Sequence, residues 1–582
     1  MLRRRLILAA APLTLAGLVL AGCATQTAIA ADPHTSSDDT STAETTAVVD
    51  SDLSASAVLA ADADVTVVDD DEWSETDAVD VALDGDTASS DSDAVTVDGS
   101  TVTITDGGVF RLSGSLDGQV VVAAPDDAQV VLMLDDAEIT ASDSPAVTVT
   151  GADDVALFLA DGSDNSLADA SSYADDAEAH AAVWADADLT ISGSGALTVS
   201  GNGDDGIAST DDLVILSGDI TVDAVDDALR GKDSLTVAGG TLALSADGDA
   251  LKSDQTDDAT QGFVAVAGGS ITAESGDDGI AAATDAVVTG GTLDIVAGSG
   301  TGTSEASPQG ISAGVVVAID GGEVAVEAAD DAVHSDGSVG IGGGTVTLSS
   351  GDDGIHAEQR LEIRDGEVTV VESVEGLEAT DVAISGGTVD ISSSDDGVNA
   401  ASGTTADSGG AGGGMGGGGE ADSGETLSIS GGTVRVVAGG DGLDSNGSIS
   451  VTGGTTVVNG PSSAGGQGAL DANGEIALDG GELFVAGSVL VAPTGSQQWV
   501  AATVSGSSGD TVEVTDASGA VVAAFEADQS FGAVFYSGPA VTDGATYTVT
   551  VNGAAAATVT EGVNVSGGMG AGPGGGGGGR RP

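Results

Sequence analysis

The chain has little cysteine, little aromatic surface and very few basic residues. Its 582 residues include 1 Cys, 2% aromatic residues and 12 Lys or Arg, against 94 Asp or Glu, for a formal net charge of −82. A single cysteine excludes an internal disulfide, so stability must come from packing or from bound metal. Nucleic acid is excluded as a partner, because phosphate binding needs clustered Lys and Arg. Cations, or ligands that carry cations, are the natural partners of such a surface.

Proline is scarce, at 10 residues, whereas glycine is abundant, at 92, and 41% of the residues are hydrophobic. The apolar residues occur in short alternating runs, such as Glu367-Val368-Thr369-Val370-Val371, bounded by Gly, Asp and Ser. Alternation with a period of two indicates β-strands, and no segment sustains the 3.6-residue period of a helix. The composition therefore predicts an all-β protein with many tight turns.

The longest apolar run lies at the amino terminus. Leu6 to Leu20 follows three arginines and is too short for a confident membrane span. The sequence Leu20-Ala21-Gly22-Cys23 resembles a bacterial lipobox. We therefore expect residues 1–22 to be a lipoprotein signal peptide and Cys23 to be lipidated, which places the protein on the extracellular face of the bacterial cell membrane, held by a lipid anchor only. An ordinary secretory signal is the alternative.

The middle of the chain repeats a short phrase: an acidic pair, a small residue and an aliphatic. The small residue falls at positions 206, 228, 250, 279, 310, 332, 354, 376, 397 and 442, mostly in steps of 22. Such a period is typical of a solenoid. Each copy contains three short strands, with Gly-Gly at one corner where positive φ is needed. The pattern predicts a right-handed, single-stranded parallel β-helix over 61–482, with three strands per coil of about 22 residues.

The other segments are predicted to be appendages of this body. Residues 23–60 are expected to form a flexible tether, and a Gly-rich loop, 403–424, is expected to project from one coil. That loop is interpreted as a solvated spacer, with a partner contact as the alternative. Residues 483–563 are predicted to form a small C-terminal β-cap, since an open solenoid end exposes unpaired backbone. The tail, 564–582, is expected to be disordered.

Stacking of the coils brings equivalent acidic residues to about 4.8 Å from one another. Carboxylates at that distance repel by roughly 3 kcal/mol per neighbouring pair at an effective dielectric near 20. The body has too few basic residues to neutralise them, so bound divalent cations are predicted, and Ca²⁺ is the cation that prefers carboxylate and carbonyl oxygens. The alternative is that the acidic pairs only cap turns. The candidate calcium ligands are Asp204, Asp205, Asp226, Asp227, Asp249, Asp277, Asp278, Asp330, Asp331, Asp352, Asp353, Glu375, Asp395 and Asp396.

Zinc and other soft-metal sites are not expected. Cys23 is the sole cysteine, and the four histidines show no paired spacing in this interpretation. The four are His34, His180, His334 and His356.

The repeated Asp-Asp-Gly-Ile phrase resembles that of the carbohydrate-binding domain-containing proteins, a family of calcium-binding, pectate-lyase-like β-helices. The Gly-Gly-Thr-Val turns, Asn459-Gly460-Pro461 with Gly468-Ala469-Leu470-Asp471, and the Gly-Met-Gly-rich loop also resemble that family. The resemblance implies a non-catalytic, surface-attached protein that binds cellulose or acidic polysaccharides such as polygalacturonate. It carries calcium sites only onto the acidic pairs, and the coils at Asp249, Gln309 and Glu375 depart from the pair.

Three functions are open from the sequence. The first, which we favour, is a monomeric, lipid-anchored polysaccharide binder without catalytic residues. The second is a calcium-dependent polysaccharide lyase, which needs a basic residue near a metal-held uronate; Arg230, Lys232 and Lys252 form the candidate group. The third is a structural surface protein with no sugar ligand.

Overall fold

The computed structural model describes residues 5–6, 52–174, 177–298, 307–402, 422–462, 468–488 and 492–563. Cys23, the predicted signal peptide apart from Arg5–Leu6, most of the expected tether, the Gly-rich stretch 403–421 and the tail 564–582 lie outside the described residues. No helix in the described part has both the length and the apolar character needed to cross a lipid bilayer.

The regular secondary structure of the described residues is almost entirely β, as predicted. In the repeat region each strand pairs in parallel with the third strand beyond it, so that Leu229 pairs with Leu251 and Leu251 with Ile280. The chain therefore returns to the same sheet once per coil and builds three parallel sheets, here called A, B and C. This is the arrangement expected of a parallel β-helix.

The three sheets consist of the following strands. Sheet A contains Thr101–Ile104, Gln119–Ala123, Val147–Gly151, Ala181–Ala185, Asp205–Ser209, Leu229–Gly231, Leu251–Ser253, Ile280–Ala282, Ile311–Ala313, Val333–Ser335, the first parts of Ile355–Ile363 and Leu377–Ile384, Val398–Ala400 and Leu443–Ser445. Sheet B contains Val79–Gly85, the first parts of Gly108–Leu116 and Gln129–Thr140, Asp154–Leu159, Asp188–Gly193, Asp212–Ile215, Ser234–Val237, Phe263–Val266, Asp285–Val288, Val316–Ile319, Ser338–Ile341, the second parts of Ile355–Ile363 and Leu377–Ile384, Thr426–Ile429, and the first parts of Ser448–Asn459 and Ile476–Gly487. Sheet C contains the second parts of Gly108–Leu116 and Gln129–Thr140, Asp164–Ala168, Ala196–Gly201, Asp219–Ala224, Thr241–Ala246, Ser270–Ser275, Thr292–Ala297, Glu323–Ala328, Thr345–Ser350, Glu367–Glu372, Thr388–Ser393, Thr433–Ala438 and the second parts of Ser448–Asn459 and Ile476–Gly487.

The inward side chains of all three sheets form one continuous apolar core. Strands of sheet C alternate between buried and exposed residues, as the sequence pattern predicts for a sheet with one wet face. One corner of most coils uses the predicted Gly-Gly pair, and its second glycine has positive φ, for example 84° at Gly344. Two short antiparallel strands, Ala88–Ser90 and Val95–Asp98, fold against the first coils.

Sheet B differs from sheet C because both of its faces are buried in the middle coils. All four residues of Ser234–Val237, of Phe263–Val266 and of Val316–Ile319 are buried. Their outward side chains are covered by residues 52–77, which we call the strap. The strap contains the short α-helix Ala55–Val58, the strand Val65–Thr66 and the 3₁₀-helix Glu75–Asp77. Val65–Thr66 also pairs antiparallel with Arg5–Leu6.

The strap corrects the predicted tether, because residues 52–60 are packed against the body. Leu53 is 1% exposed and packs with Val287 and Val316, whereas Val68 packs with Val131 at the opposite end of the strap. The strap therefore runs along sheet B from later coils to earlier ones. The physical reason is the apolar outer face of sheet B, which needs cover from water.

The carboxyl-terminal end of the solenoid is closed by further β-structure. The strand Ile476–Gly487 forms the last coil and pairs antiparallel with Ala533–Ser537, which in turn pairs with Trp499–Ala502. The predicted start of the cap, residue 483, lies inside this last strand. A four-stranded antiparallel sheet follows and has its own apolar core. Its strands are Thr511–Thr515, Val521–Glu526, Thr546–Val551 and Ala554–Thr560.

Candidate functional site

The second acid of each pair lies at the start of a sheet A strand, and these residues stack in one line, which we call the acidic column. Five members of this column are buried, with exposures between 3% and 6%: Asp205, Asp227, Asp249, Asp331 and Asp353. In contrast, the first acids of the pairs are half-buried or exposed. The column is continued by Asp278, Gln309, Glu375, Asp396 and Asp441.

One carboxylate oxygen of the buried acids is used by the backbone of the next coil. Asp227 Oδ1 accepts the backbone N–H of Asp249 at 2.9 Å, and Asp249 Oδ1 accepts that of Asp278 at 2.8 Å. The same bond runs from Asp353 to Asp331 at 2.9 Å. The alternative interpretation, that the acidic residues only bind backbone N–H groups, therefore accounts for the Oδ1 atoms. The hydrogen bond joins successive coils, however, and does not close a turn. It leaves Oδ2 for other partners.

A second line of side chains runs beside the acidic column on the outer face of sheet A, and we call it the outer column. Most of its members lie three positions after a residue of the acidic column, and Arg230, Lys252 and His334 are each the central residue of a three-residue strand. Register pairing connects them from coil to coil. In order they are Trp184, Ala208, Arg230, Lys252, Ala281, Ser312, His334, His356, Glu378, Asn399 and Asp444.

Lys252 shows how the outer column can serve the acidic column. Its Nζ lies 3.0 Å from Asp227 Oδ2 and 2.8 Å from Asp249 Oδ2. The ammonium group thus bridges the free oxygens of two successive coils. Burial opposes the charge, but these two carboxylates raise the pKa of Lys252 above its ordinary value. A side chain of the protein therefore supplies a cation between neighbouring Oδ2 atoms.

Arg230 occupies the preceding coil and makes a similar contact. Its Nη2 donates to Asp254 Oδ2 at 2.7 Å, and its Nη1 lies 3.7 Å from Asp205 Oδ2. Burial opposes the charge, but the hydrogen bond to Asp254 raises the pKa of Arg230. Arg230 and Lys252 are thus brought together as predicted. Lys232 is not among the described residues that line their pocket.

The pocket around Arg230 and Lys252 has a volume of about 340 Å³ and also includes Trp184 and His180. His180 Nδ1 lies 2.8 Å from Asp204 Oδ2. Neither Trp184 nor His180 was predicted as a site residue. Trp184 could have been found by extending the repeat upstream, because it pairs in register with Ala208 in the first regular coil. The pocket therefore joins an aromatic ring, two cations and several carboxylates on one face.

Beyond the two histidines, the described part of the outer column supplies no basic side chain. Glu378 follows the two histidines, and burial together with the nearby Glu375 carboxylate raises its pKa to about 9. Burial raises the pKa of Asp353 to about 8 and that of Asp396 to about 7, with neighbouring carboxylates adding to both shifts. These groups are therefore hard to ionise together unless a cation accompanies them.

His334 and His356 form an unexpected pair. They are 22 residues apart, one coil, and their ring centroids lie 5.0 Å from each other. Both Nδ1 atoms face Asp331 Oδ2, at 2.9 Å for His334 and 3.4 Å for His356. The expectation that the histidines show no paired spacing is therefore wrong, and the repeat period itself was the signal that would have revealed them.

Comparison with known proteins now identifies the chain. A family model described as carbohydrate-binding domain-containing protein matches residues 98–354 and 349–488. The chain belongs to this family. The match confirms the predicted resemblance to this family, and it spans most of the coils that form sheets A, B and C.

Individual relatives of this family member were also found. A carbohydrate-binding domain-containing protein of Acetivibrio thermocellus is 31% identical over 150 residues, which are 25% of this chain and 52% of the relative. The chain thus matches about half the length of that relative. A solved structure, described as the polysaccharide lyase-like protein from C. thermocellum in a gadolinium derivative, has 32% identity and a TM-score of 0.36, covering 37% of this chain and 93% of that one.

The structure brings many of the predicted calcium ligands into groups whose oxygens lie within 4.8 Å of one another. The coils that depart from the acidic pair also take part, because Asp249 and Glu375 each belong to such a group. Asp227 contacts Lys252, Asp395 is exposed, and Asp396 faces Asp441 and Asp444. The groups are Asp204 with Asp205 and Asp226, Asp249 with Asp277 and Asp278, Asp330 with Asp331 and Asp352, and Asp353 with Glu375 and Glu378.

Proposed function

We propose that this protein binds an acidic polysaccharide along the outer face of sheet A and does not cleave it. The observation that carries this proposal is the pocket that Trp184 lines together with Arg230 and Lys252. Carbohydrate binding is the property in the name of the family, and this pocket offers chemistry suited to uronate sugars. Cellulose is the neutral alternative, and a surface protein with no sugar ligand is the third possibility tested below.

The pocket supplies three kinds of contact with an acidic sugar. The Trp184 ring can stack on the apolar face of a pyranose ring. Arg230 lies two coils further on, about 10 Å away at the spacing of adjacent strands, with the small Ala208 between them. A guanidinium matches a carboxylate through paired hydrogen bonds, so Arg230 is the candidate ligand for a uronate carboxylate. The surrounding Asp carboxylates can accept hydrogen bonds from sugar hydroxyls.

We propose that Ca²⁺ supplies the missing cations in the coils that have none in the outer column. The position of Lys252 Nζ supports this, because an internal cation lies between two successive Oδ2 atoms. The group of Asp353, Glu375 and Glu378 likewise brings carboxylate oxygens of successive coils together, and none of its three members is basic. Carboxylate oxygens in such number suit Ca²⁺, which takes six to eight of them. A bound ion could also bridge the protein and a uronate.

A lyase remains the alternative function, and the charge state of the basic residues argues against it. Proton abstraction needs a base that is neutral near the working pH. The pKa values of Arg230 and Lys252 are instead raised, against the effect of burial, by Asp254 and by Asp227 and Asp249 respectively. Both residues therefore stay charged, which suits binding of an anion. We assign the protein no catalytic residue.

We also propose that the protein is a monomer held by lipid at Cys23 on the extracellular face of the cell membrane. The lipobox-like sequence Leu20-Ala21-Gly22-Cys23 supports the anchor. A right-handed winding of the coils is proposed as well, since parallel crossover connections are nearly always right-handed.

Binding of the full chain to polygalacturonate and to cellulose, measured with and without calcium, tests the proposed function. We expect binding to polygalacturonate that Trp184→Ala and Arg230→Gln weaken. Arg435→Gln is the matched control, because Arg435 pairs with Asp390 on sheet C. If Arg435→Gln weakens polygalacturonate binding as much as the pocket variants do, or if neither pocket variant weakens it, the pocket is not the binding site. Release of unsaturated uronate products would favour the lyase.

A further inference from the structure

We propose that His334, His356 and Asp331 form a binding site for a transition-metal ion of the zinc type, which takes one carboxylate, Asp331, from the acidic column and two imidazoles from the outer column. The two histidines replace the Lys and Arg of earlier coils in the outer column, so the repeat itself brings two imidazoles together on one face. The proposal concerns the metal alone and does not depend on polysaccharide binding.

The three side chains converge on a small space. One ligand atom from each lies within 4.8 Å of the other two. The Asp331 Oδ2 atom is 2.9 Å from His334 Nδ1 and 3.4 Å from His356 Nδ1. Ligands of a tetrahedral zinc ion at 2.0–2.1 Å lie about 3.3 Å from one another. The two separations from Asp331 are therefore close to those that a metal ion would require.

The hydrogen bonds around the site select these particular atoms. Asp331 Oδ1 accepts the backbone N–H of Asp353 at 2.9 Å, which leaves Oδ2 to face the imidazoles. The Nε2 atom of His334 lies 3.3 Å from Asp336 Oδ1. A carboxylate on the far nitrogen is the usual support of a metal-binding histidine, because it fixes the tautomer that leaves Nδ1 free to bind. Asp353 Oδ2, 3.7 Å from His356 Nδ1, is near enough to serve as a further ligand.

The donor set distinguishes this site from the rest of the acidic column. Two imidazole nitrogens and a carboxylate suit Zn²⁺, Co²⁺ or Ni²⁺, whereas Ca²⁺ prefers oxygen ligands only. The histidine side chains are 16% and 22% exposed, so an ion can enter from solvent without rearrangement of the coils. The alternative is that no metal ion binds and that the imidazole rings are protonated. In that case the two histidines would only neutralise the Asp331 carboxylate.

Visible absorption of the full chain titrated with Co²⁺ after exhaustive chelation tests the proposal. Cobalt is chosen because its d–d bands report nitrogen and oxygen ligands directly. We expect bands that disappear in His334→Ala and in His356→Ala. Asp336→Asn should weaken cobalt binding by about 10-fold or more, as expected for a residue that orients a ligand. Millimolar calcium should leave the bands unchanged.

His180→Ala is the matched control. His180 also contacts an acid of the repeat, Asp204, at 2.8 Å, but its ring neighbour is Tyr173 instead of a second histidine. We expect this variant to bind cobalt as the unaltered chain does. Circular dichroism would verify that each variant is folded, and His356→Gln replaces any variant that is not. Bands that survive both histidine substitutions, that calcium removes, or that His180→Ala also removes would overturn the proposal.

Discussion

Asp227 accepts through Oδ1, at 2.9 Å, the backbone N–H of Asp249, its equivalent one coil later. Because of this bond, the two oxygens of the buried carboxylate have different roles. One oxygen holds successive coils in register, and the other faces the outer column, where Lys252 reaches it. The acidic repeat is therefore both a structural device and a line of cation-binding oxygens.

The two roles can be separated at Asp227. Asp227→Asn retains an oxygen for the Asp249 N–H, whereas Asp227→Ala leaves that buried group without an acceptor. We expect Asp227→Ala to lower the free energy of unfolding by about 1–3 kcal/mol more than Asp227→Asn does. The exposed neighbour Asp226 provides the control, since Asp226→Ala should change the free energy of unfolding by less than about 0.5 kcal/mol. Chemical denaturation measures all three, and equal effects of Asn and Ala would contradict the assigned hydrogen bond.

Docking of the strap should depend on Leu53. This side chain is 1% exposed and packs with Val287, Val316 and Ala318 on the outer face of sheet B. Leu53→Ala should weaken docking of the strap by about 2–5 kcal/mol, as for other buried leucines. Hydrogen exchange of residues 52–68 would measure the loss of protection. The exposed Ser56→Ala is the control, and protection that Leu53→Ala leaves unchanged would contradict the packed strap.

The strap should also loosen as the pH rises. Burial, and then the adjacent Asp285 carboxylate, raise the pKa of Asp62 from 3.8 to about 8, and burial raises that of Asp285 to about 6. The folded chain therefore binds more protons than the unfolded chain above the ordinary pKa, so this contribution to stability is complete at low pH and is lost as the pH rises toward about 8.

Hydrogen exchange of the strap at pH values from about 5 to about 9 checks this pH dependence. Asp62→Asn carries no charge in this range, and we expect it to abolish most of the loss of protection. Asp64→Asn, two residues away in the same strap, is the matched control and should keep the loss. A profile that is unchanged in Asp62→Asn would show that another group is responsible.

Much of the fold could be predicted from the sequence because the solenoid is periodic. The spacing of the acidic pairs was sufficient to assign the stacking of Asp227 on Asp205, and the Gly-Gly pairs marked the corners. The strap was missed, because residues 52–60 show no strong periodicity and their partners are distant in sequence. The outer face of sheet B, with Ala286-Val287-Val288 apolar at successive positions, was the available signal.

The candidate site was predicted only in part. The acidic residues could be recognised because they repeat in most coils. The outer column contains one tryptophan and two histidines, Trp184, His334 and His356, and their roles can be inferred only after they are placed in that column. Projection of each residue three positions after the acidic pair would have revealed the two histidines, and extension of the repeat upstream would have revealed Trp184. The partner of Arg230 could not be predicted, since Asp254 lies after the next strand in a coil of irregular length.

Thermal unfolding of the chelated full chain during titration with calcium tests the central claim, that the outward oxygens of the acidic column hold cations. We expect a melting temperature that rises steeply with calcium and less with magnesium. We also expect a smaller rise in Asp353→Asn, which keeps the backbone acceptor but removes one ligand charge from the group with Glu375 and Glu378. A melting temperature that calcium does not change would contradict the claim and leave the acidic pairs as hydrogen-bonding residues alone.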